Sequence, residues 1–329
     1  MKLLQIGKKG VMDRFVAPDS FLGKMERVDL PSGLTAEEYL KEAWDADFMI
    51  ADAIAPVSGE LIEGMPNLKL IHSEGVAFNR IDVEAAKRKG VLVCNSKGMN
   101  ASAVAEQTVL LMLGMLRNVA VNDAAVREGR QIQVKEGYMQ RGDLLELGDC
   151  SAGLVGFGDI GRETAKLLAA HGVKKIYYYK RNPLASDEEA RVGVIYKPLR
   201  ELLAASDIVS LHLPVMTETA GMADEEFFAA MKEGSYFVNT SRGELVDDTA
   251  LIKALASGKL KMVGLDTLNN EPVKKEHPLL QVPEIAEKIL FSPHIGGITA
   301  SSFRRSYEMI AEDIEDAAMG RRPKRVVSE

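Results

Sequence analysis

The sequence predicts an α/β protein that contains two doubly wound, parallel-sheet domains. Short apolar runs alternate with helical patterns along most of its 329 residues, which is typical of βαβ units. The alternation occurs in two series, which are separated by a long apolar helix and a polar segment. The second series opens with a glycine-rich turn directly after an apolar strand. These three observations decide the fold class.

The first series predicts one small doubly wound domain within the first hundred residues. Its strands are expected at residues 3–6, 48–51, 68–72 and 91–94, and its helices at residues 37–43, 59–64 and 83–89. A buried helix should follow over residues 102–119, since its apolar stretch is too short to span a bilayer. We interpret the polar segment 122–149 as irregular and exposed, or as an arm that contacts a partner subunit.

The second series predicts strands at residues 152–155, 176–179, 208–211, 236–239, 262–265 and 289–291, with a helix over residues 160–170 after the first. The last helix, over residues 300–318, has no strand of its own and is expected to pack on the first domain. The expected domains are therefore residues 1–99 with 299–329, and residues 100–298. A ligand is expected in the cleft between two such lobes.

Composition narrows the class of function. The net charge of −7 argues against a protein built to bind nucleic acid or an anionic membrane. Cys94 and Cys150 lack the spacing of zinc ligands, so we expect reduced thiols and no metal site. The first residues are too short for a signal peptide and are expected to form a strand, so a cytoplasmic location is predicted.

The glycine-rich turn reads GFGDIG at residues 156–161. In this pattern Gly156 permits a tight turn, Gly158 lets the backbone approach a pyrophosphate, and Gly161 allows close packing of helix and strand. Free amide groups at the start of the following helix favour an anion. The strand before it and the helix after it favour a ligand-binding turn over a purely structural one. The second domain is therefore predicted to be a Rossmann domain that binds a dinucleotide.

The next strand ends in Lys180, Arg181 and Asn182, where an NAD-binding domain usually carries an acid. A cation at this position suits the 2′-phosphate of NADP, so we predict a preference for NADP over NAD. The alternative is that these are ordinary solvated charges and that NAD binds without a carboxylate.

Three side chains that follow strands of the second series carry the functional groups needed to reduce a 2-keto acid. The paired donors of Arg242 suit a carboxylate and a carbonyl oxygen. His294 is a suitable proton donor, because imidazole titrates near neutrality. Glu271 is expected to orient this imidazole and favour its charged form. Each residue alone is weak evidence, and the ordered combination with the glycine loop carries the prediction.

The chain resembles the D-isomer-specific 2-hydroxyacid dehydrogenase family over nearly its whole length. The resemblance rests on NTSRGELVD at residues 239–247, HLP at 212–214, GLD at 264–266 and SPHIGG at 292–297. Residues 73–86 resemble the family's substrate loop, and residues 95–118 resemble its linking helix. The implied fold pairs the Rossmann domain with a flavodoxin-like substrate domain.

The resemblance implies residue roles. By this resemblance Arg242, Glu271 and His294 are the catalytic residues, and Val76 and Ala77 would offer backbone N–H groups to the substrate carboxylate. The candidate substrate-binding residues are Glu74, Gly75, Val76, Ala77, Arg242 and His294. Asp266 would bind the nicotinamide carboxamide. Together with the positions above, the expected cofactor-binding residues are Gly156, Gly158, Asp159, Ile160, Gly161, Lys180, Arg181, Asn182, His212, Leu213, Pro214, Thr219, Thr240, Ser241, Arg242, Asp266, His294 and Gly296. The family usually forms homodimers through its nucleotide domain.

The substrate loop departs from the family pattern. Ala77 stands where Gly is common, and Ser73 stands where phosphoglycerate dehydrogenases tend to carry Arg. Glu74 is expected either to bind a hydroxyl or amino group or to face solvent. We therefore predict an oxidoreductase that acts on a small 2-keto acid such as glyoxylate or hydroxypyruvate. The alternatives are a D-3-phosphoglycerate dehydrogenase without a regulatory domain and a dinucleotide-sensing, corepressor-like binding module, while a formate dehydrogenase is disfavoured.

The other histidines are expected to be structural. His72 ends a strand, His171 ends a helix, and His277 lies in a surface turn beyond Glu271. Asp247 and Asp248 are expected to begin a helix and not to form a catalytic pair of carboxylates.

Overall fold

The computed structural model describes residues 1–327 and divides into two compact units. The first unit contains residues 1–100 and the chain from residue 298 onward, and the second contains residues 101–297. Each unit is an α/β domain with its own parallel sheet and core, which confirms the predicted fold class.

The first unit is built on five parallel strands, β1 (Lys2–Ile6), β2 (Glu26–Leu30), β3 (Phe48–Ala51), β4 (Leu70–Ser73) and β5 (Leu92–Cys94). Their order in the sheet is β2-β1-β3-β4-β5, which is the flavodoxin order that the resemblance implies. All four residues of β3 are buried, as expected for a central strand covered on both faces. The edge strand β2 was not predicted, because its sequence ERVDL offers no apolar run.

Helices cover both faces of this sheet. Those that connect its strands are α1 (Ala36–Ala43), α2 (Gly59–Gly64) and α3 (Val83–Lys89). Asp82 caps α3 by accepting from Ala85 N, and Gly90 ends it in the left-handed conformation. The C-terminal helix, Ala300–Ala318, packs against the same unit through Tyr307 and Ile310, which confirms the predicted return of the chain.

The second unit contains a seven-stranded parallel sheet. Its strands are β6 (Ser151–Val155), β7 (Lys175–Tyr179), β8 (Ile195–Tyr196), β9 (Ile208–Leu211), β10 (Ser235–Asn239), β11 (Leu260–Leu265) and β12 (Ile289–Phe291). The order β12-β11-β10-β9-β6-β7-β8 is the Rossmann order with one further strand at the edge. Its helices are α4 (Ala101–Leu116), α5 (Val119–Arg127), α6 (Gln131–Arg141), α7 (Asp159–Ala170), α8 (Ser186–Val192), α9 (Leu199–Ala205), α10 (Glu225–Ala230) and α11 (Asp248–Ala256).

Two predictions for residues 102–149 were wrong in detail. The buried helix ends at Leu116 and not at residue 119, because Asn118 adopts a left-handed conformation with φ of 49°. The segment beyond it is not irregular but forms α5 and α6. Its exposure was predicted correctly, since α6 contains no buried residue. The two-residue strand β8 was also missed, because so short an element carries no period.

The fold limits the sites available. Within residues 1–327 no single helix has the length and apolar composition to cross a bilayer, although α4 and α5, bent by 58°, meet both criteria together. In the same part of the chain, no three His, Cys, Asp or Glu side chains are grouped so that they would hold a metal ion.

Candidate active site

The three glycines of the turn at residues 156–161 have the geometry that the pattern predicts. Gly156 has a φ of 100°, and a β-carbon there would lie 2.2 Å from the backbone oxygen of His212. A β-carbon at Gly161 would lie 2.7 Å from the oxygen of Gly156. Around Gly158, by contrast, no atom lies within 4 Å of a built β-carbon. The middle glycine thus faces open space at the start of α7, which suits the approach of a phosphate group.

The end of β7 lies beside this turn, because Gly156 N donates to the Tyr179 oxygen at 2.9 Å. Lys180 follows directly and is half-buried, while Arg181 and Asn182 are exposed. Neither cation forms an ion pair with any residue in the described chain. Both charges are therefore available to a ligand near the glycine turn.

The segment after β9 lies beside the glycine-rich turn. His212 N donates to the Val155 oxygen at 2.7 Å. Both ring nitrogens of His212 are buried and lack a hydrogen-bond partner among residues 1–327. Burial lowers the pKa of this imidazole to about 3, so the ring is neutral. Leu213 and Pro214 follow, and the Thr219 hydroxyl closes the loop by accepting from Met216 N and donating to the Pro214 oxygen, both at 2.8 Å.

The end of β10 presents Arg242 on a rigid turn. The Asn239 side chain accepts from Ser241 N at 3.0 Å and donates to the Arg242 oxygen at 2.7 Å. The Ser241 hydroxyl donates to the Leu211 oxygen at 2.7 Å, and the buried Thr240 hydroxyl bonds Thr108 at 2.8 Å. The Arg242 side chain is exposed and makes one hydrogen bond within the described chain, from Nη1 to the Ser241 oxygen. Most of its guanidinium donors remain available.

Gly243 joins this turn to the loop that carries Glu271. A β-carbon at residue 243 would lie 1.9 Å from the carbonyl carbon of Leu268 and 2.2 Å from Asn269 N. Only a glycine permits this contact, since real β-carbons do not approach backbone atoms so closely. The backbone carrying Arg242 is therefore packed directly against the backbone that precedes Glu271.

Glu271 and His294 form the predicted pair. His294 Nδ1 lies 2.6 Å from Glu271 Oε2, and the other carboxylate oxygen accepts from Leu268 N at 2.9 Å. Because a carboxylate accepts, Nδ1 carries a proton, and Nε2 is left to act on a ligand. The imidazole is 43% exposed, so this nitrogen is accessible. The φ of 56° at His294 turns its backbone into the left-handed region.

Asp266 holds the loop that carries the imidazole. Its two carboxylate oxygens accept from Ile295 N at 3.1 Å and from Gly296 N at 2.9 Å. A side chain at Gly296 would meet the Asp266 carboxylate at 2.8 Å. The resemblance implied a cofactor contact for Asp266, but the sequence did not predict that Asp266 holds this loop. The two hydrogen bonds join residues that are 29 and 30 positions apart in the chain.

His277 corrects one sequence-based prediction. It is not in a surface turn but is 7% exposed, since Nε2 donates to the Asn269 oxygen at 3.1 Å and Nδ1 accepts from Leu279 N. It therefore supports the loop before Glu271. The other structural expectations are confirmed: Asp247 caps α11, His171 Nδ1 bonds the Leu167 oxygen, and the buried His72 contacts Asp313.

In the first unit, the predicted substrate loop has an unusual hydrogen-bond pattern. The carbonyl oxygens of Gly75, Val76 and Ala77 accept from Ser96 N, Asn95 Nδ2 and Ser73 Oγ, respectively. The amide groups of Val76 and Ala77 have no acceptor within residues 1–327. Two successive free N–H groups on a backbone held by its carbonyl groups are available to donate to one ligand.

Comparison with known proteins agrees with this geometry. Residues 109–296 match the family model described as D-isomer specific 2-hydroxyacid dehydrogenase, NAD binding domain. A hydroxypyruvate reductase of Blautia hydrogenotrophica is 32% identical over 301 residues, which are 91% of this chain and 90% of that protein. A D-3-phosphoglycerate dehydrogenase of Archaeoglobus fulgidus is 33% identical over 89% of this chain, and the match spans about half, 53%, of that longer relative.

A solved structure extends the likeness to the fold. The apo form of Rhodotorula graminis D-mandelate dehydrogenase superposes with a TM-score of 0.84 at 28% sequence identity. The match covers all of this chain, 100%, and 97% of the mandelate enzyme.

Proposed function

The chain belongs to the D-isomer-specific 2-hydroxyacid dehydrogenase family, and from this we propose that it reduces small 2-keto acids to D-2-hydroxy acids with a nicotinamide cofactor. The observation that carries the proposal is the contact of 2.6 Å between His294 Nδ1 and Glu271 Oε2. This contact orients His294 as a proton donor and leaves its second ring nitrogen, Nε2, exposed. The same domain carries Arg242, most of whose guanidinium donors are available, and the glycine-rich turn.

The proposed reaction uses these side chains in turn. The bound cofactor supplies a hydride to the second carbon of the keto acid. Arg242 holds the carbonyl oxygen and polarises the carbon–oxygen bond. His294 Nε2 gives its proton to that oxygen, so the product is a neutral hydroxyl and the imidazole loses one charge. Glu271 stabilises the imidazolium before the transfer and keeps Nδ1 protonated after it. In oxidation the same nitrogen accepts the proton.

The substrate carboxylate is proposed to bind the free amide groups of Val76 and Ala77. Support comes from the three carbonyl groups of this loop, whose hydrogen bonds to Ser96, Asn95 and Ser73 hold its backbone while both amides lack an acceptor within residues 1–327. Two neighbouring N–H donors suit the two oxygens of a carboxylate. Gly75 fits beside them because a β-carbon there would lie 2.8 Å from the Ala53 side chain.

The cofactor is proposed to bind along the carboxyl ends of the second sheet. The pyrophosphate would contact the amide groups of Asp159 and Ile160 above Gly158. His212, Leu213 and Pro214 would line the adenosine side. Asp266 retains lone pairs beyond those used by Ile295 N and Gly296 N, and these suit a carboxamide. The remaining proposed contacts are Thr219, Thr240, Ser241 and Gly296, the first three through their backbone, because those hydroxyls are engaged elsewhere.

A preference for NADP over NAD belongs to this proposal. Lys180 and Arg181 follow the strand that contacts the glycine turn, and neither has a protein counter-ion in the described chain. Two unpaired cations suit the 2′-phosphate, which is the only group that distinguishes NADP from NAD. If they are ordinary solvated charges, the two cofactors will serve equally.

A panel of 2-keto acids tests the function directly. Initial rates with glyoxylate, hydroxypyruvate, phosphohydroxypyruvate and pyruvate, each with NADH and with NADPH, should show turnover of the small unphosphorylated acids. Faster turnover of phosphohydroxypyruvate than of hydroxypyruvate would instead favour a D-3-phosphoglycerate dehydrogenase, the name of one relative. Tight dinucleotide binding without any turnover would favour a sensing, corepressor-like module.

The chain is also proposed to form a cytoplasmic homodimer through its second unit. Helices α5 and α6 expose Val126, Ile132 and Met139, whose exposed fractions are 56, 57 and 74%. An exposed apolar face of this kind marks an interaction surface. Light scattering should give twice the chain mass, and a monomer at micromolar concentration would contradict the proposal.

A further inference from the structure

Glu74 is held in the substrate loop by a contact that crosses most of the sequence. Its Oε1 accepts from the Tyr307 hydroxyl at 2.9 Å. Tyr307 is 1% exposed and stacks on Phe15 with ring centroids 5.9 Å apart. The Tyr307 oxygen in turn accepts from Gln5 Nε2 at 3.1 Å, so the phenolic proton must point to Glu74. The carboxylate is therefore oriented by a buried chain of two hydrogen bonds and is not a free surface charge.

The second oxygen of this carboxylate is unused. Glu74 Oε2 has no hydrogen-bond partner within residues 1–327, and no cation contacts the side chain there. Gly7 leaves space beside it, since even a β-carbon at that position would be 4.0 Å away. Burial raises the pKa of the Glu74 carboxyl. The hydrogen bond from Tyr307 opposes this shift, and the negative charge of Asp52 adds to it to a smaller extent. An acceptor that is partly removed from water is stabilised by a hydrogen-bond donor and repels an anion.

Glu74 stands two residues before the free amide groups of Val76 and Ala77. One loop thus combines groups for an anion with an acceptor for a neighbouring hydroxyl. We propose that Glu74 selects 2-keto acids whose third carbon carries a hydroxyl group and rejects those that carry an anionic group there. This inference rests on the proposed function, because it assumes that the amide groups of Val76 and Ala77 hold the substrate carboxylate.

The test compares three substrates that differ only at the third carbon. Hydroxypyruvate and 2-ketobutyrate are close in size but carry a hydroxyl and a methyl group, respectively, while oxaloacetate carries a carboxylate. The wild-type kcat/KM for hydroxypyruvate should exceed that for 2-ketobutyrate by about 10- to 100-fold, the value expected for a hydrogen bond to a charged acceptor. Oxaloacetate should be the poorest of the three.

Three variants assign the preference to Glu74. Glu74→Leu should bring the ratio of the first two kcat/KM values close to one, and Glu74→Gln should keep part of the ratio while improving oxaloacetate. Tyr307→Phe, which leaves the carboxylate unoriented, should reduce the ratio without affecting cofactor binding. A ratio that is unchanged in Glu74→Leu, or a wild-type preference for 2-ketobutyrate or oxaloacetate, would overturn the inference. The absence of turnover with every keto acid would instead overturn the proposed function itself.

Discussion

Gly243 lies so close to Leu268 that a β-carbon on the glycine would be 1.9 Å from the leucine carbonyl carbon. This contact joins the turn that presents Arg242 to the loop that presents Glu271. Since Glu271 orients His294 through a bond of 2.6 Å, one backbone contact links all three proposed catalytic side chains. The active-site geometry therefore depends on a residue that has no side chain.

Gly243→Ala should therefore destabilise the second unit and reduce activity together. Overpacking costs about 1–3 kcal/mol, and we expect the upper end here because backbone atoms cannot move aside as a flexible side chain can. Thermal unfolding measures the loss. The matched control is Gly158→Ala, where nothing lies within 4 Å of the new β-carbon. This control should keep the wild-type Tm but bind the dinucleotide more weakly; equal Tm changes in both variants would contradict the assigned roles.

The pair of Glu271 and His294 should be sensitive to loss of either partner. His294→Asn should reduce kcat by about 10²- to 10⁴-fold, the usual contribution of a general acid, with cofactor binding retained. Glu271→Gln should give a smaller loss of the same kind. Single-turnover rates and dinucleotide affinity, measured on the same samples, separate loss of proton transfer from loss of cofactor binding. Single-turnover reduction by His294→Asn at the wild-type rate would count against His294 as the acid.

Lys180 and Arg181 should affect one cofactor only. Changing both to Ser should lower kcat/KM for NADPH by about tenfold or more, since charge-assisted bonds to the 2′-phosphate are lost, and should leave NADH almost unchanged. The control changes Lys174 and Lys175 to Ser at the opposite end of β7, which removes the same charge away from the glycine turn. Equal effects of the two double variants on NADPH would show that only net charge matters.

A buried ion pair should make the first unit sensitive to acid. Burial opposes ionisation of Asp313, but His72 at 3.1 Å and Arg325 at 3.0 Å outweigh it, and the pKa of this carboxyl lies below its usual value. The sign follows from linkage: this stabilisation is full above the unfolded pKa and is lost as pH falls through the folded one. Asp313→Asn should cost about 3–5 kcal/mol at neutral pH, and less in acid.

Asp316→Asn is the control for this prediction. It lies on the same helix and pairs with Arg321 at 2.8 Å, but that arginine is 57% exposed. A surface pair of this kind contributes about 0–1 kcal/mol, so the control should unfold nearly as the wild type does. If Asp313→Asn is no less stable than Asp316→Asn, the buried network has no stabilising role.

The sequence predicted those features that depend on local patterns. Both sheets were predictable because strands such as β3 are continuous apolar runs. The glycine turn was predictable because each glycine has a separate role: Gly156 and Gly161 avoid contacts with backbone atoms, and Gly158 leaves open space for a ligand. The resemblance to a known family joined Arg242, Glu271 and His294, which spacing alone did not join. Edge strand β2 and helix α6 were missed, because neither buries an apolar face that would impose a period on the sequence.

The features that were not predicted depend on contacts between distant residues. The bond from Tyr307 to Glu74 spans 233 positions, and no local pattern marks either residue as a partner of the other. His277 was predicted to lie in a surface turn within EHPL at residues 276–279, yet its own ring supports the backbone at Asn269. Gly243 lies in the segment 239–247, which resembles the family, but the need for a glycine at this position is visible only in its close contact with Leu268.

The most direct test of the central claim is the kcat/KM for keto-acid reduction by the wild type and by Arg242→Ala, with dinucleotide affinity measured on the same samples. Arg200→Ala, at an exposed arginine on α9, serves as the matched control. We expect the wild type and the control to reduce hydroxypyruvate or glyoxylate, and Arg242→Ala to lose at least about 10²-fold in kcat/KM while its cofactor affinity is unchanged. Turnover by Arg242→Ala equal to that of the wild type would contradict the account.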